Sequence, residues 1–353
     1  MKVALFAACA LTGCLPEHCD TYYQSEQTYA RVAAASGQDL VSVTWRGPSN
    51  AIYATLVSPA GVATQEVQLP ADFATATLAA TGHASAIWMI VDSTRQLEAA
   101  VVSDHDVQLS TIAVVDGEYD EQVQASVVFD GSAYQVFWLA NGRLEHATLS
   151  EQASLGPSED LGAAGAYSVF AVTDGAGKVY VALGEPSGAH VLAFDPAVPG
   201  SRELATSADA HGDQAFWFAG ELHLRDHTYT DTLYSFDPTT SLWRTRMLPA
   251  EVAGGDLFAS PLALYGQREA AYQLDANLAA RPLGVAVLSG TFGADWLEYE
   301  RVANCCNAPT TMPGRLELER GNGNTPAWAT PIVVDSPIVM STECGEGLPS
   351  QYD

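Results

Sequence analysis

From Ser126 to Ser150 the chain alternates apolar runs with two-residue breaks. Ser126-Val127-Val128-Phe129 is apolar and Asp130-Gly131 interrupts it. Tyr134 to Leu139 is β-branched and aromatic, Asn141-Gly142 interrupts again, and Arg143 to Leu149 alternates polar with apolar. Short β-rich runs separated by Asp-Gly and Asn-Gly predict three antiparallel strands joined by tight turns.

Variants of this unit recur along the chain. A glycine between two apolar runs stands at Gly37, Gly82, Gly131, Gly175, Gly220, Gly266 and Gly314, each 44 to 49 residues after the last. A second mark keeps step 17 to 23 residues later: Ser58-Pro59, Ser103-Asp104, Ser150-Glu151, Asp195-Pro196, Asp237-Pro238, Ser289-Gly290 and Asp335-Ser336. Several of these suit a type I turn, where proline presets φ and the side chain before it caps the backbone. The spacing predicts second strands at Val41–Trp45, Ala86–Ile90, Gln135–Leu139 and Val179–Leu183. Third strands fall at Ile52–Val57, Leu97–Val102, Leu144–Leu149, Val191–Phe194 and Leu233–Phe236. Fourth strands fall at Glu66–Leu69, Ser110–Val115, Arg202–Leu204 and Arg244–Leu248. Four short strands in each of seven units of about 45 residues predict an all-β fold, a seven-bladed β-propeller of four-stranded antiparallel blades over 28–345. A row of β-sandwiches would show no such register. Tyr272–Pro282 carries little strand pattern, and Asn304–Pro313 reads as a loop in the place of a first strand.

Composition narrows the partners. With 42 acidic and 15 basic residues the formal net charge is −27, which repels phosphate backbones and anionic lipid headgroups, so nucleic acid is not an expected partner. A hydrophobic fraction of 48% supports a large core.

The first residues read as a processing segment. Lys2 precedes an apolar run from Val3 to Leu11, and Leu11-Thr12-Gly13-Cys14 follows. This resembles the lipobox of bacterial lipoproteins. The resemblance implies removal of 1–13, diacylation of Cys14, a lipidated tether over 14–27, and membrane contact through that anchor alone. Leu15 in the place where an aspartate would retain the protein at the inner membrane implies the outer membrane or cell surface. An ordinary secretory signal leaving Cys14 as a thiol is the alternative. The repeats carry no WD40, sialidase-type or kelch signature. The chain is similar instead to the loosely marked, Ala- and Asp-rich propeller lipoproteins of Gram-negative bacteria, a likeness of architecture that implies no activity.

Four further cysteines, Cys19, Cys305, Cys306 and Cys344, would sit in an oxidising compartment. Continuing the period past Gly314 places Cys344 at the blade position that Cys19 holds, so a Cys19–Cys344 disulfide latching the chain ends is expected. Cys305 and Cys306 are then left to each other. The alternative joins each of them to one terminal cysteine.

Candidate chemistry is sparse. No Gly-x-Ser-x-Gly, His-Glu-x-x-His, phosphate-cradling glycine loop or Cys-x-x-Cys occurs. In Leu222-His223-Leu224-Arg225-Asp226-His227, alternation puts His223, Arg225 and His227 on one strand face. With His211 and Asp213 they could form a metal or anion site; the alternative is a solvated strand edge. Asp116, Glu118 and Asp120 lie in an acidic loop whose oxygen density suits calcium, or in a plain acidic surface loop. No other cofactor is expected. Asp295, Glu298 and Glu300 read as solvated. Trp45, Trp88 and Trp138 keep a regular place and are expected in the core; Trp217 and Trp243 are better placed to face a ligand. The expected function is a surface-anchored, monomeric, non-catalytic module binding an envelope or extracellular protein or glycan. A secreted hydrolase or lyase with its site at the channel mouth is the alternative.

Overall fold

A computed structural model of the chain is a seven-bladed, all-β propeller. The structure describes residues 30–33, 40–46, 51–75, 78–115, 125–195, 202–226, 231–285, 290–292, 295–302 and 312–340. Blade one holds Ala30–Ala33, Val41–Arg46, Ile52–Val57 and Val67–Leu69; blade two holds Leu78–Thr81, Ala86–Val91, Gln96–Val102 and Val107–Val114. Blade three holds Ala125–Phe129, Tyr134–Ala140, Arg143–Leu149 and Glu159–Ala164; blade four holds Ser168–Thr173, Val179–Glu185, Gly188–Phe194 and Arg202–Ser207. Blade five holds Gln214–Phe218, Glu221–Asp226, Thr232–Asp237 and Leu242–Met247; blade six holds Asp256–Ala259, Leu264–Gln267, Ala271–Leu274 and Ala280–Pro282. Blade seven holds Gly290–Phe292, Asp295–Val302, Met312–Asn322 and Thr325–Pro326, and Ile332–Met340 adds a strand against its third. Each blade is one consecutive stretch of chain, paired in chain order. First strands of blades two to seven adjoin in an inner row.

Both faces of a blade are buried, which is why the second strands read as unbroken apolar runs. Alternate residues serve alternate neighbours: Ala86, Trp88 and Ile90 pack toward blade one, while Ile87 and Met89 pack toward blade three. Among the described residues seven apolar clusters form, one at each blade interface. Trp45, Trp88 and Trp138 are core residues, all buried, and Trp88 Nε1 donates to Ser42 Oγ of blade one at 2.9 Å.

Among the described residues the ring closes by packing rather than by strand exchange. Val41, Val43, Trp45 and Val57 of blade one share a cluster with Leu297, Leu318 and Trp328 of blade seven. Trp328 Nε1 donates to the Pro59 carbonyl at 3.0 Å. The Arg320 guanidinium donates to the same carbonyl and pairs with Asp295, so Asp295 is not simply solvated. All six cysteines, and with them Cys14 and the Cys19–Cys344 and Cys305–Cys306 pairings, lie outside the described residues, as does the acidic loop of Asp116, Glu118 and Asp120.

The register read from the sequence fails in blades six and seven. Gly266 sits inside the second strand of blade six, not in a turn. It is glycine because Val252 of the preceding connection presses on it: an added Cβ would lie 2.6 Å from Val252 Cγ1. The turn itself is Ser260–Ala263, closed by the Ser260 N–H donating to the Ala263 carbonyl at 2.8 Å. Gly314 likewise lies within a strand, Met312–Asn322, and Asp335-Ser336 within Ile332–Met340. Tyr272–Pro282 supplies two strands, Ala271–Leu274 and Ala280–Pro282, joined by a turn that Asp275 caps.

Candidate functional site

His223 and Arg225 of blade five are core, not a solvated edge. His223 and Arg225 are 1% and 2% exposed. His223 Nδ1 lies 2.8 Å from Ser235 Oγ, directly across the sheet, and Nε2 lies 3.2 Å from the Phe218 carbonyl. A carbonyl can only accept, so Nε2 carries the proton and Nδ1 accepts from the serine. Burial pushes the imidazole down to about 4, with the Phe218 carbonyl pulling the other way and Arg246 adding to the depression. Arg225 donates to Asp231 at 2.9 Å and to the Gly255 carbonyl of the connection into blade six at 2.6 Å. His211 and Asp213 are exposed, and the Asp213 backbone N–H is bonded to the Arg225 carbonyl at 2.9 Å; His227 lies outside the described residues. Among the described residues no three His, Cys, Asp or Glu side chains are placed to hold a metal ion. His223 and Arg225 therefore secure blade five to itself and to blade six.

A second buried polar chain, not foreseen from the sequence, crosses blade three. Asp130 Oδ1 accepts from Ser132 N at 2.7 Å and Ala133 N at 2.9 Å, and Oδ2 accepts from Gln135 Nε2 at 2.7 Å. The Gln135 carbonyl oxygen must then accept from His146 Nε2, 2.7 Å away, and His146 Nδ1 reaches Glu159 at 3.2 Å. Burial beside Phe137 and Phe194 pushes His146 below its ordinary range, with Glu159 pulling it back. Asp130, Gln135 and His146 Nε2 spend their polar atoms on one another, which fixes the turn; with Nε2–H donating, Nδ1 of a neutral imidazole bonds Glu159 only when one of the two takes up a further proton. Sequence carried a signal: Gln135 and His146 are polar residues in apolar runs.

At one end of the inner row the turns between first and second strands clasp one another. His83 Nε2 of blade two lies 2.9 Å from the Gly131 carbonyl of blade three. Glu151 accepts from Ala84 N at 2.9 Å and Ser85 Oγ at 3.1 Å, and Ser85 Oγ lies 2.7 Å from Tyr134 Oη. Gly175 of blade four stands against Pro261 of blade six; a Cβ there would lie 2.9 Å from its Cγ. Asp174 caps its own turn through Ala176 N at 2.8 Å and Lys178 N at 3.0 Å. Among the described residues, His83, Glu151 and Asp174 at this end are engaged in turn and blade contacts.

On the same side of the ring a cleft of about 590 Å³ opens between blades five and six. Phe218, Pro261, Leu262 and Leu274 give it apolar walls, with Gln273, Asp275 and Arg281 at its polar rim. Leu262 is 62% exposed, although it is apolar. Arg281 donates to Gln273 Oε1 at 2.8 Å and, among the described residues, makes no ion pair. By contrast, Arg244 and Arg246 nearby are neutralised by Glu221 at 3.1 and 3.0 Å. The cleft can receive an apolar group with a hydrogen-bonding neighbour. The tryptophans expected to face a ligand do not: Trp217 is buried, stacked on Tyr180 at 4.7 Å, and Trp243 packs on Phe236 at 5.2 Å.

The sequence matches no protein-family model and no curated protein. Solved structures do match. A prolyl endopeptidase aligns over 95% of this chain and 54% of its own, with TM-score 0.56 and 10% identity. A puromycin-hydrolyzing peptidase of Mycobacterium tuberculosis aligns over 92% of this chain and 54% of its own, with TM-score 0.51 and 12% identity. The SapL1 lectin, solved with alpha methyl fucoside, aligns over 73% of this chain and 96% of its own, with TM-score 0.46 and 15% identity. The chain spans about half the length of the two peptidases. At these identities the likeness is one of fold, and the fold is that of a seven-bladed β-propeller.

Proposed function

We propose that the protein is a non-catalytic binding module of the bacterial cell envelope, tethered by lipid on Cys14, that receives a partner polypeptide at the cleft between blades five and six. The observation that carries this reading is the cleft itself: a concave site with apolar walls, an exposed Leu262 and an arginine that, among the described residues, makes no ion pair. Ligand sites are typically such concavities with a few placed polar groups. The buried histidines support it from the other side, since His146 and His223 spend their nitrogens inside their own blades.

Placing a photo-crosslinking phenylalanine analogue at Leu262 tests the site directly, because an exposed side chain tolerates replacement. A discrete protein adduct from envelope fractions is expected, falling about tenfold when Arg281→Glu is added, the size of a lost charge-assisted contact. No adduct, or one indifferent to Arg281, would remove the cleft from the proposal.

The tether has its own test. Cells fed an alkyne palmitate should label the wild-type protein, and Cys14→Ser should be unlabelled and move to the soluble fraction, since acyl chains supply the anchoring free energy. An unlabelled wild type, or a variant that stays with the membrane, would refute lipidation.

A further inference from the structure

Every blade ends outward in an edge strand, and an unpaired edge invites another strand unless charge, proline or shortness blunts it. Six edges here are blunted. Blade one ends in the three residues Val67–Leu69 before Pro70, and blade six in Ala280–Pro282. Blade three carries Glu159 and Asp160, blade four Arg202 and Glu203, and blade five Arg244 and Arg246. Blade seven's outer strands contain Pro326, Asp335 and Pro337.

Blade two is the exception. Its outer strand, Val107–Val114, reads Val-Gln-Leu-Ser-Thr-Ile-Ala-Val, eight residues without charge, proline or glycine. Leu109 and Val114 are 59% and 58% exposed. The strand is held firmly on its inner side, paired from Val102↔Val107 to Gln96↔Val114. Ser110 Oγ also donates to the Ala153 carbonyl of blade three at 3.0 Å. Leu109 pairs with Ala100, which packs toward blade one. Because blade one's outer strand is only three residues long, it leaves Leu109 uncovered.

We infer that this edge is a strand-addition site for an extended, Lys- or Arg-flanked segment of another polypeptide. The Val107 N–H is taken by Asp106 Oδ1 at 2.8 Å, so outward N–H and C=O groups from Leu109 to Val114 would pair with the incoming main chain, and Leu109 would seat one of its alternate side chains. Charge selects the occupant. A second copy brings another −27 to the contact, and an acidic segment meets Asp104 and Asp106 at the start of the strand; a basic flank is attracted by both. The site is separate from the cleft of blades five and six, and cleft substitutions leave it unchanged.

The probe is a fluorescein-labelled peptide, Lys-Lys-Thr-Val-Thr-Val-Thr-Lys-Lys, titrated against the full chain by fluorescence anisotropy. Controls are the same peptide with proline for its first valine and with glutamate for its lysines. Binding is expected, with slowed hydrogen exchange of the amides of Val107–Val114. Both control peptides, and the variant Leu109→Lys/Thr111→Lys, should bind about tenfold more weakly or not at all. Both substituted residues are exposed, so exchange in the other blades stays unchanged. Absence of binding, equal binding by the proline peptide, or protection outside residues 107–114 would overturn the proposal. So would a concentration-dependent dimer that the variant abolishes, which would assign the edge to a second copy.

Discussion

Replacing Trp328 by alanine is expected to cost about 3–5 kcal/mol and to open the ring at one place, between blades seven and one. Trp328 lies in the cluster of Val41, Val43, Trp45, Val57, Leu297 and Leu318. Its indole also closes the seam through Pro59. Arg320 still donates to that carbonyl in the variant, so most of the loss is packing. Trp328→Phe, which restores the ring but not the N–H, should recover all but about 1 kcal/mol. Among the described residues no strand crosses the seam, so it rests on this packing and on the Arg320 bond to Pro59. Hydrogen exchange should therefore speed up in 41–57 and 295–326 first, while blades three to five keep their protection, a local opening rather than global loss. An unchanged urea midpoint would show that the seam is held elsewhere, and uniform loss of protection would show that the ring opens as one unit.

The parts of the fold legible in the sequence are those where one residue type has one job. Second strands such as Ala86–Val91 and Tyr134–Ala140 are buried on both faces, so their unbroken apolar runs announce them. Turns such as Asp130-Gly131 and Asp174-Gly175 need a capping carboxylate and a left-handed glycine, with φ of 100° and 77° at the two glycines. Glycine misled where it served packing instead: Gly266 makes room for Val252, and nothing local separates that use from a turn. The polar cores were half legible. Once Glu221–Asp226 and Thr232–Asp237 are read as a hairpin, register alone puts Ser235 opposite His223. Arg225's carbonyl partner at Gly255 comes from 30 residues away, beyond any hairpin arithmetic. The cleft was not legible at all. It exists because the turns of two blades stand apart at one height, a relation between rigid units that no window of sequence contains.

Acid should expose the cost of keeping His223 neutral, and this is the second large effect expected. The folded imidazole titrates down to about 4, against an ordinary value near 6.5. Above pH 6.5 neither folded nor unfolded chain binds this proton, so the contribution is constant and fully present. Between pH 6.5 and about 4 the unfolded chain takes up the proton and the folded one does not, so stability falls as pH falls. Below about 4 both are protonated and the loss is complete, about 3 kcal/mol over the window. His223 is 1% exposed, so solvent does not screen the effect away. Protonation would place an N–H against Ser235 Oγ, which can turn to accept it, leaving burial as the dominant penalty. The measurement is the urea midpoint at several pH values for wild type, His223→Gln and His146→Gln. Carboxylates of this strongly acidic chain titrate in the same range, but they do so in all three proteins, so the difference between curves reads each histidine. His223→Gln should flatten the wild-type slope between pH 6.5 and 4.5 by about 2 kcal/mol, and His146→Gln should do so in the same direction, since burial lowers that histidine as well. Parallel curves for wild type and His223→Gln would mean that His223 protonates as easily in the fold as out of it, and that burial does not hold the neutral form.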